Sequence, residues 1–164
     1  MKKRIFFDMD GVLAVFNSGA TLEQLHSPQY FRKLEPMQTV VASAIILSKE
    51  PEVEVCVLSK AFNEECIKDK NAWLDCMVGA AIPQENRYFC LYEESKAKVI
   101  NLTPDDVLID DLSDNLREFE TEGGRAIKLY NGINGTKGTW RGYSVRSKMD
   151  PEKLAAQIKA IALL

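Results

Sequence analysis

Short apolar runs recur along the chain, each followed by a stretch with helical spacing, and few architectures accommodate that alternation. Residues 4–9 read as a first strand ending in acids, and Gly11 lets the backbone turn just beyond it. Residues 36–50 carry a long apolar-periodic helix that Pro51 stops, and residues 53–58 form a second buried strand. Residues 63–78, with Ile67, Trp73, Leu74, Met77 and Val78 set among acids and lysines, suit an amphipathic helix, and Pro83 marks the exit. The pattern continues with a strand at 87–91, a short helix at 95–102, a strand at 106–109, a helix at 114–122 closed by Gly123 and Gly124, and a strand at 125–129. Residues 130–147, with glycines at 132, 135, 138 and 142, read as an ordered loop for which Trp140 and Tyr143 supply buried surface. A last amphipathic helix spans 151–164, with Asp150 as N-cap and Pro151 at an early position. Strands separated by helices imply an α/β fold with a mainly parallel sheet covered on both faces, and such sheets bind ligands beyond the carboxyl ends of their strands.

With 164 residues the chain fits a single domain spanning 1–164, large enough for one sizeable core and one site. Hydrophobic residues at 46% and charged residues at 27% give the balance of a soluble globular protein. A formal charge of −3 argues against a surface built to bind polymeric nucleic acid. The first seven residues place a Lys-Lys-Arg cluster before only a few apolar positions. There is then no signal-peptide core and nothing long enough to span a bilayer, so the expectation is a cytoplasmic protein with no membrane partner. Cysteines at 56, 66, 76 and 90 form no CxxC pair and are accompanied by one histidine, His26, which disfavours zinc and favours free thiols over disulfides.

The chemistry concentrates in Phe6-Phe7-Asp8-Met9-Asp10-Gly11-Val12-Leu13. Two carboxylates one residue apart, at the end of a buried strand, face one cavity if the second lies past the pleat. One can then attack while the other handles protons. A carboxylate is a weak nucleophile towards phosphate unless a cation screens the approach, so the pair calls for a hard divalent metal with oxygen ligands. The run Val107-Leu108-Ile109-Asp110-Asp111 is a second buried strand ending in adjacent acids, and a bound cation is a physical reason to keep like charges there. Taken singly, a DxD pair also serves as a loop or helix cap, a serine after a strand as a turn former, and a lysine as a solvated surface group.

Taken together, these segments resemble the haloacid dehalogenase superfamily. Asp8-Met9-Asp10-Gly11-Val12 is similar to its first motif, Ser59 after Val55-Cys56-Val57-Leu58 to its second, Lys96 to its third, with Lys98 as a rival, and Asp110-Asp111 to its fourth. The resemblance implies a three-layer Rossmann-like fold with a very small cap insertion at about 17–35. It implies that Asp8 becomes phosphorylated, that Asp10 is general acid and base, and that Ser59 and Lys96 bind phosphate oxygens. Mg2+ would be held by Asp8, Asp111 and the backbone carbonyl of Asp10, with Asp110 orienting Asp111 or a metal-bound water and Asp114 a further candidate.

Phe16, Lys70-Asn71-Ala72-Trp73-Leu74, Gly123-Gly124-Arg125-Ala126-Ile127-Lys128 and Asn131-Gly132-Ile133-Asn134-Gly135, with Trp140 beyond, narrow the likeness to the 5'(3')-deoxyribonucleotidases and their bacterial and phage relatives. Phe16 would then lie beside the nucleobase, although a core position just after the loop accounts for it equally well. The implied partner is a small phosphomonoester, a nucleoside monophosphate for that branch, and the likeness leaves room for a homodimer. Val15 stands where an acid is common, Ser59-Lys60 where a Thr-Ser pair is usual, and the cap is small. A phosphatase for a sugar or cofactor phosphate therefore stays open, as does a catalytically silent binding protein of the same fold.

Overall fold

The computed structural model describes residues 2–135 and 138–164. Eleven elements carry the fold: β1 (Lys3–Phe7), α1 (Leu22–Leu25), α2 (Gln38–Leu47), β2 (Val53–Ala61), α3 (Glu64–Met77), β3 (Arg87–Leu91), β4 (Val107–Asp110), α4 (Ser113–Thr121), β5 (Arg125–Tyr130), β6 (Tyr143–Arg146) and α5 (Pro151–Ala162). The strands form one parallel sheet in the order β3-β2-β1-β4-β5-β6. The chain steps outward from β1 to β2 and β3, then returns to place β4 on the other flank of β1. That reversal opens a crevice at the carboxyl ends of β1 and β4, where sheets of this kind take their ligands.

Alternation along the strands divides the core into two layers. Ile5, Phe7, Val55, Val57, Ile109 and Ile127 point to one face and pack with Val40 and Leu47 of α2, Trp73 and Leu74 of α3, and Leu154 and Ile158 of α5. Phe6, Cys56, Leu58, Leu108 and Ala126 point to the other, against Leu116 and Phe119 of α4 and the indole of Trp140. Helices thus cover both faces of a three-layer α/β fold. Among the described residues no helix is long and apolar enough to cross a membrane. The four cysteines are free.

Local chemistry sets several boundaries. Asn63 caps α3 by accepting from the Cys66 amide at 2.9 Å. Asp150 caps α5 by accepting from the amides of Glu152 and Lys153. Thr21 and Gln24 exchange bonds in a capping box over the single turn of α1. Segment 17–35 also holds one 3-10 turn at Phe31–Lys33.

Four segments differ from the sequence reading. Within 130–147 lies a strand, β6, of which Val145 alone is buried; four residues at a sheet edge with one inward side chain leave almost no periodic signal. Trp140 is buried as expected, whereas Tyr143 is half exposed at 49%. Residues 95–102 form one 3-10 turn at Lys96–Lys98 rather than an α-helix, because the chain there turns the Lys96 side chain into the core. β2 runs on to Ala61, so Ser59 belongs to the strand instead of following it. Asp106 precedes β4, where it accepts from Arg4 and from the Thr103 amide.

Gly124 carries a sharp packing constraint: a Cβ there would stand 2.6 Å from Phe119 Cδ1, and that ring is fully buried. Gly124→Ala should therefore destabilise the protein by about 1–3 kcal/mol in urea unfolding, as overpacking does. An unchanged midpoint would contradict the α4–β5 packing described.

Candidate active site

The register of β1 on β4 determines which acids meet. Phe7 lies opposite Ile109, and the Asp8 amide donates to the Ile109 carbonyl at 2.9 Å, so one step further along both strands brings Asp8 beside Asp110. Carboxylate oxygens of Asp8, Asp110 and Asp111 all lie within 4.8 Å of one another, and all three residues are buried. Beyond Asp8 the chain folds back sharply, with the Gly11 amide on the Ala14 carbonyl at 2.8 Å and the Ala14 amide on the Met9 carbonyl at 2.8 Å. Gly11 takes φ +80°, and a Cβ there would sit 2.7 Å from the Asp111 carboxyl carbon. Only glycine meets both demands, the left-handed backbone and the close carboxylate.

Lys96 enters this cluster from its 3-10 turn, with Nζ 2.6 Å from Asp110 Oδ2 and 2.9 Å from Asp8 Oδ1. Lys98 points outward, exposed. Burial alone would lower the Lys96 pKa, but the carboxylates of Asp110 and Asp8 outweigh it and hold the ammonium above its usual value. Asp110 is saturated: Oδ2 accepts from Lys96 and from Asn115 at 2.9 Å, and Oδ1 accepts from the Leu112 amide at 2.8 Å. Asp8 Oδ1, although close to Lys96, lies out of line for a hydrogen bond and has no directed partner among the described residues.

Among the described residues the Asp111 carboxylate receives only a long contact from Asn131 Nδ2, at 3.3 Å to its Oδ2. The same Asn131 amide donates to the Gly11 carbonyl at 2.8 Å, and Asn134 Nδ2 donates to the Asp111 carbonyl at 3.1 Å. Burial first, then the charges of Asp110 and Asp8, push the Asp111 carboxyl up to about 7.

These observations bear directly on a metal. Three carboxylates share one ammonium, an excess of two negative charges, and the oxygens left without partners belong to Asp8 and Asp111. An all-oxygen donor set with that charge fits a hard divalent cation. Asp110, with its oxygens spent on Lys96, Asn115 and the Leu112 amide, fits a holding role. Asp114 stands apart, its side chain 98% exposed and paired with Arg117.

Asp10 faces a second cation. Lys70, fully buried on α3, donates to Asp10 Oδ2 at 2.6 Å, to Ser59 Oγ at 3.1 Å and to the Lys60 carbonyl at 2.6 Å. Burial raises the Asp10 pKa, Lys70 opposes that, and Asp8 adds to it; the balance lies above the usual carboxylate range. Ser59 is thus brought to the Asp10 side of the site and Lys96 to the Asp8 side.

Lys70 and the Asn131–Asn134 pair had no assigned role in the sequence reading. A signal for Lys70 exists, since Cys66, Lys70, Trp73 and Leu74 share the buried stripe of α3, where a lysine needs a partner. The asparagines lie in an irregular segment and carry no such signal. Phe16, by contrast, is 40% exposed and belongs neither to the carboxylate cluster nor to the neighbouring ring group of Tyr30, Phe31, Phe62 and Tyr92. A cavity of about 360 Å3 is lined by Val15, Asn17, Ser27, Tyr30, Lys33 and Glu35, among others, and by none of the clustered carboxylates or lysines.

Comparison with known proteins adds two findings. A family model described as 5' nucleotidase, deoxy (pyrimidine), cytosolic type C protein matches residues 17–150, a span that begins after Asp8 and Asp10 and takes in Ser59, Lys70, Lys96, Asp110 and Asp111. Two solved structures share the fold over nearly their whole length. The D,D-heptose 1,7-bisphosphate phosphatase of Burkholderia thailandensis aligns with a TM-score of 0.61 and 14% identity, covering 98% of this chain and 99% of that one. A HAD family hydrolase of Deinococcus radiodurans, with bound phosphate and sodium, aligns with a TM-score of 0.63 and 12% identity, covering 99% and 97%. No curated protein matches the chain in sequence.

The raised Asp111 gives a pH test in metal-free protein. The folded chain binds that proton more tightly than the unfolded chain, whose carboxyl titrates near 3.8. Its stabilising contribution is therefore fully present below about pH 4 and is lost as the pH rises towards 7. With chelator present, Asp111→Asn should gain stability relative to the parent protein between pH 5 and pH 8 in urea titrations, scales set by those pKa values. A difference independent of pH would contradict the crowding of acids around position 111.

Proposed function

The chain belongs to the cytosolic type C deoxy (pyrimidine) 5' nucleotidases, among the haloacid dehalogenase phosphatases, and from that premise we propose that it hydrolyses nucleoside monophosphates through a phosphorylated Asp8. The observation that carries this reading is the Asp8 carboxylate itself, buried beside Lys96 with one oxygen lacking a directed partner. Residues 17–35 serve in this reading as a small cap over the site, within one domain spanning 1–164. The family description supports a cytoplasmic enzyme.

Asp8, Asp111 and the backbone carbonyl of Asp10 would hold Mg2+, with Asp110 fixing the geometry from behind. When bound, the cation supplies positive charge against the phosphate and lets an anionic nucleophile approach. Lys96 and Ser59 hold the nonbridging oxygens, and Lys96 also sets its positive charge beside Asp8. Asp8 attacks phosphorus in line, the bond to the ester oxygen breaks, and the leaving alkoxide takes a proton from Asp10. A water that returns its proton to Asp10 then attacks the aspartyl-phosphate, releasing inorganic phosphate and restoring both carboxyls. The raised pKa of Asp10 suits a group that must hold a proton in one half-reaction and accept it in the other.

The exposed ring of Phe16 and the short 17–35 segment favour a second reading at the level of substrate, a sugar or cofactor phosphate admitted by an open pocket.

Asp8→Asn should reduce phosphate release to background in a protein that still folds, and Asp10→Asn should slow turnover by about two to four orders of magnitude. Chelation should abolish activity and Mg2+ restore it. The assay is phosphate release from a panel of 5'- and 3'-deoxyribonucleotides, ribonucleotides and sugar phosphates. A folded, active Asp8→Asn protein would refute the mechanism, and a sugar phosphate turned over faster than every nucleotide would establish the second reading.

A further inference from the structure

Lys70 is an unusual side chain to find wholly buried, and the cap segment supplies part of its environment. The ring of Phe31, itself only 5% exposed, stands with its centroid 4.7 Å from Lys70 Nζ. Neighbouring residues lock the same segment onto the same helix. Arg32 Nε lies 3.6 Å from Asp69 Oδ1, and Trp73 Nε1 donates to the Leu34 carbonyl at 2.7 Å. Residues 31, 32 and 34 therefore grip residues 70, 69 and 73, which share one face of α3. A further ring, Tyr30, crosses Phe31 edge-on at 5.1 Å. Lys70 in turn occupies Asp10 Oδ2, while Asp10 Oδ1 has no hydrogen-bond partner among the described residues.

We infer that Phe31 is a positioning residue for the reaction: its ring face holds the Lys70 ammonium against Asp10 Oδ2, which leaves Asp10 Oδ1 as the atom through which the proton moves. The inference rests on the acid–base role proposed for Asp10. The negative face of an aromatic ring attracts an ammonium most strongly where water is excluded, as it is here. Without that attraction the long Lys70 side chain keeps its bonds to Ser59 and Lys60 but gains freedom to leave Asp10, and the carboxyl loses its fixed orientation. Phe31 touches none of the reacting atoms and acts only through Lys70.

The test separates orientation of the acid from general packing by comparing two leaving groups. Departure of a nucleoside alkoxide needs a proton from Asp10; departure of p-nitrophenolate does not. In Phe31→Leu, which keeps an apolar side chain but removes the ring, kcat/KM for a 5'-nucleotide should fall by between about twofold and thirtyfold, the range of a cation–π contact. Over the same comparison p-nitrophenyl phosphate should change by less than about twofold. Phe31→Tyr should restore the nucleotide rate. Pentafluorophenylalanine at position 31 preserves shape while inverting the ring's charge distribution, and it should reproduce the Leu phenotype even if Phe31→Leu itself folds poorly. Equal losses on both esters, or a fluorinated protein with normal nucleotide turnover, would overturn the inference alone. A parent enzyme that hydrolyses neither ester would overturn the functional reading and this inference with it.

Discussion

One buried ammonium makes the sheet end possible. Lys96 stands between Asp8 and Asp110, and it is the ammonium in direct contact with the cluster of three carboxylates that lie within 4.8 Å of each other. Removing one partner from a buried ion cluster typically costs about 3–5 kcal/mol, because the remaining charges are left unpaired. The compensation is incomplete, and burial together with the neighbouring charges of Asp110 and Asp8 raises the pKa of Asp111. That residual charge gives a divalent cation a reason to enter. The fixed charges of the site are already oriented for the phosphomonoester substrate proposed above.

The geometry follows from topology more than from any local motif. β1 is flanked by β2 and β4, and its register with β4 places Asp8 next to Asp110. Asp10 lies past the turn, close to β2 and α3, where Ser59 and Lys70 meet it. The two carboxyls of one short motif are therefore served by different lysines from opposite sides, Lys96 for Asp8 and Lys70 for Asp10. This division gives the two carboxyls distinct environments although they are separated by one residue, as the roles proposed for them require.

Much of this was legible in the chain. The two-layer alternation in β1, β2 and β4 is written in their apolar runs, and the strand-end acids pointed to the cluster before any geometry was known. The limits of reading have physical causes. β6 buries one side chain and so has no period. Lys96 and Lys98 are two residues apart, and composition does not say which one the 3-10 turn directs inward. Lys70 lay in plain view on the apolar stripe of α3, but its partner sits 60 residues away, a pairing that local pattern does not carry. Asn131 and Asn134, which support Gly11 and Asp111, belong to a turn whose role emerges only once β5 is beside β4.

The central claim is that Asp8 carries the phosphoryl group. Acid quench during steady-state turnover of a deoxyribonucleotide with Mg2+, followed by peptide mass spectrometry, measures it directly. The account predicts a phosphoryl adduct on the N-terminal peptide, located to Asp8 and lost when chelator replaces Mg2+. An actively turning-over enzyme with phosphate attached to a different side chain would contradict it.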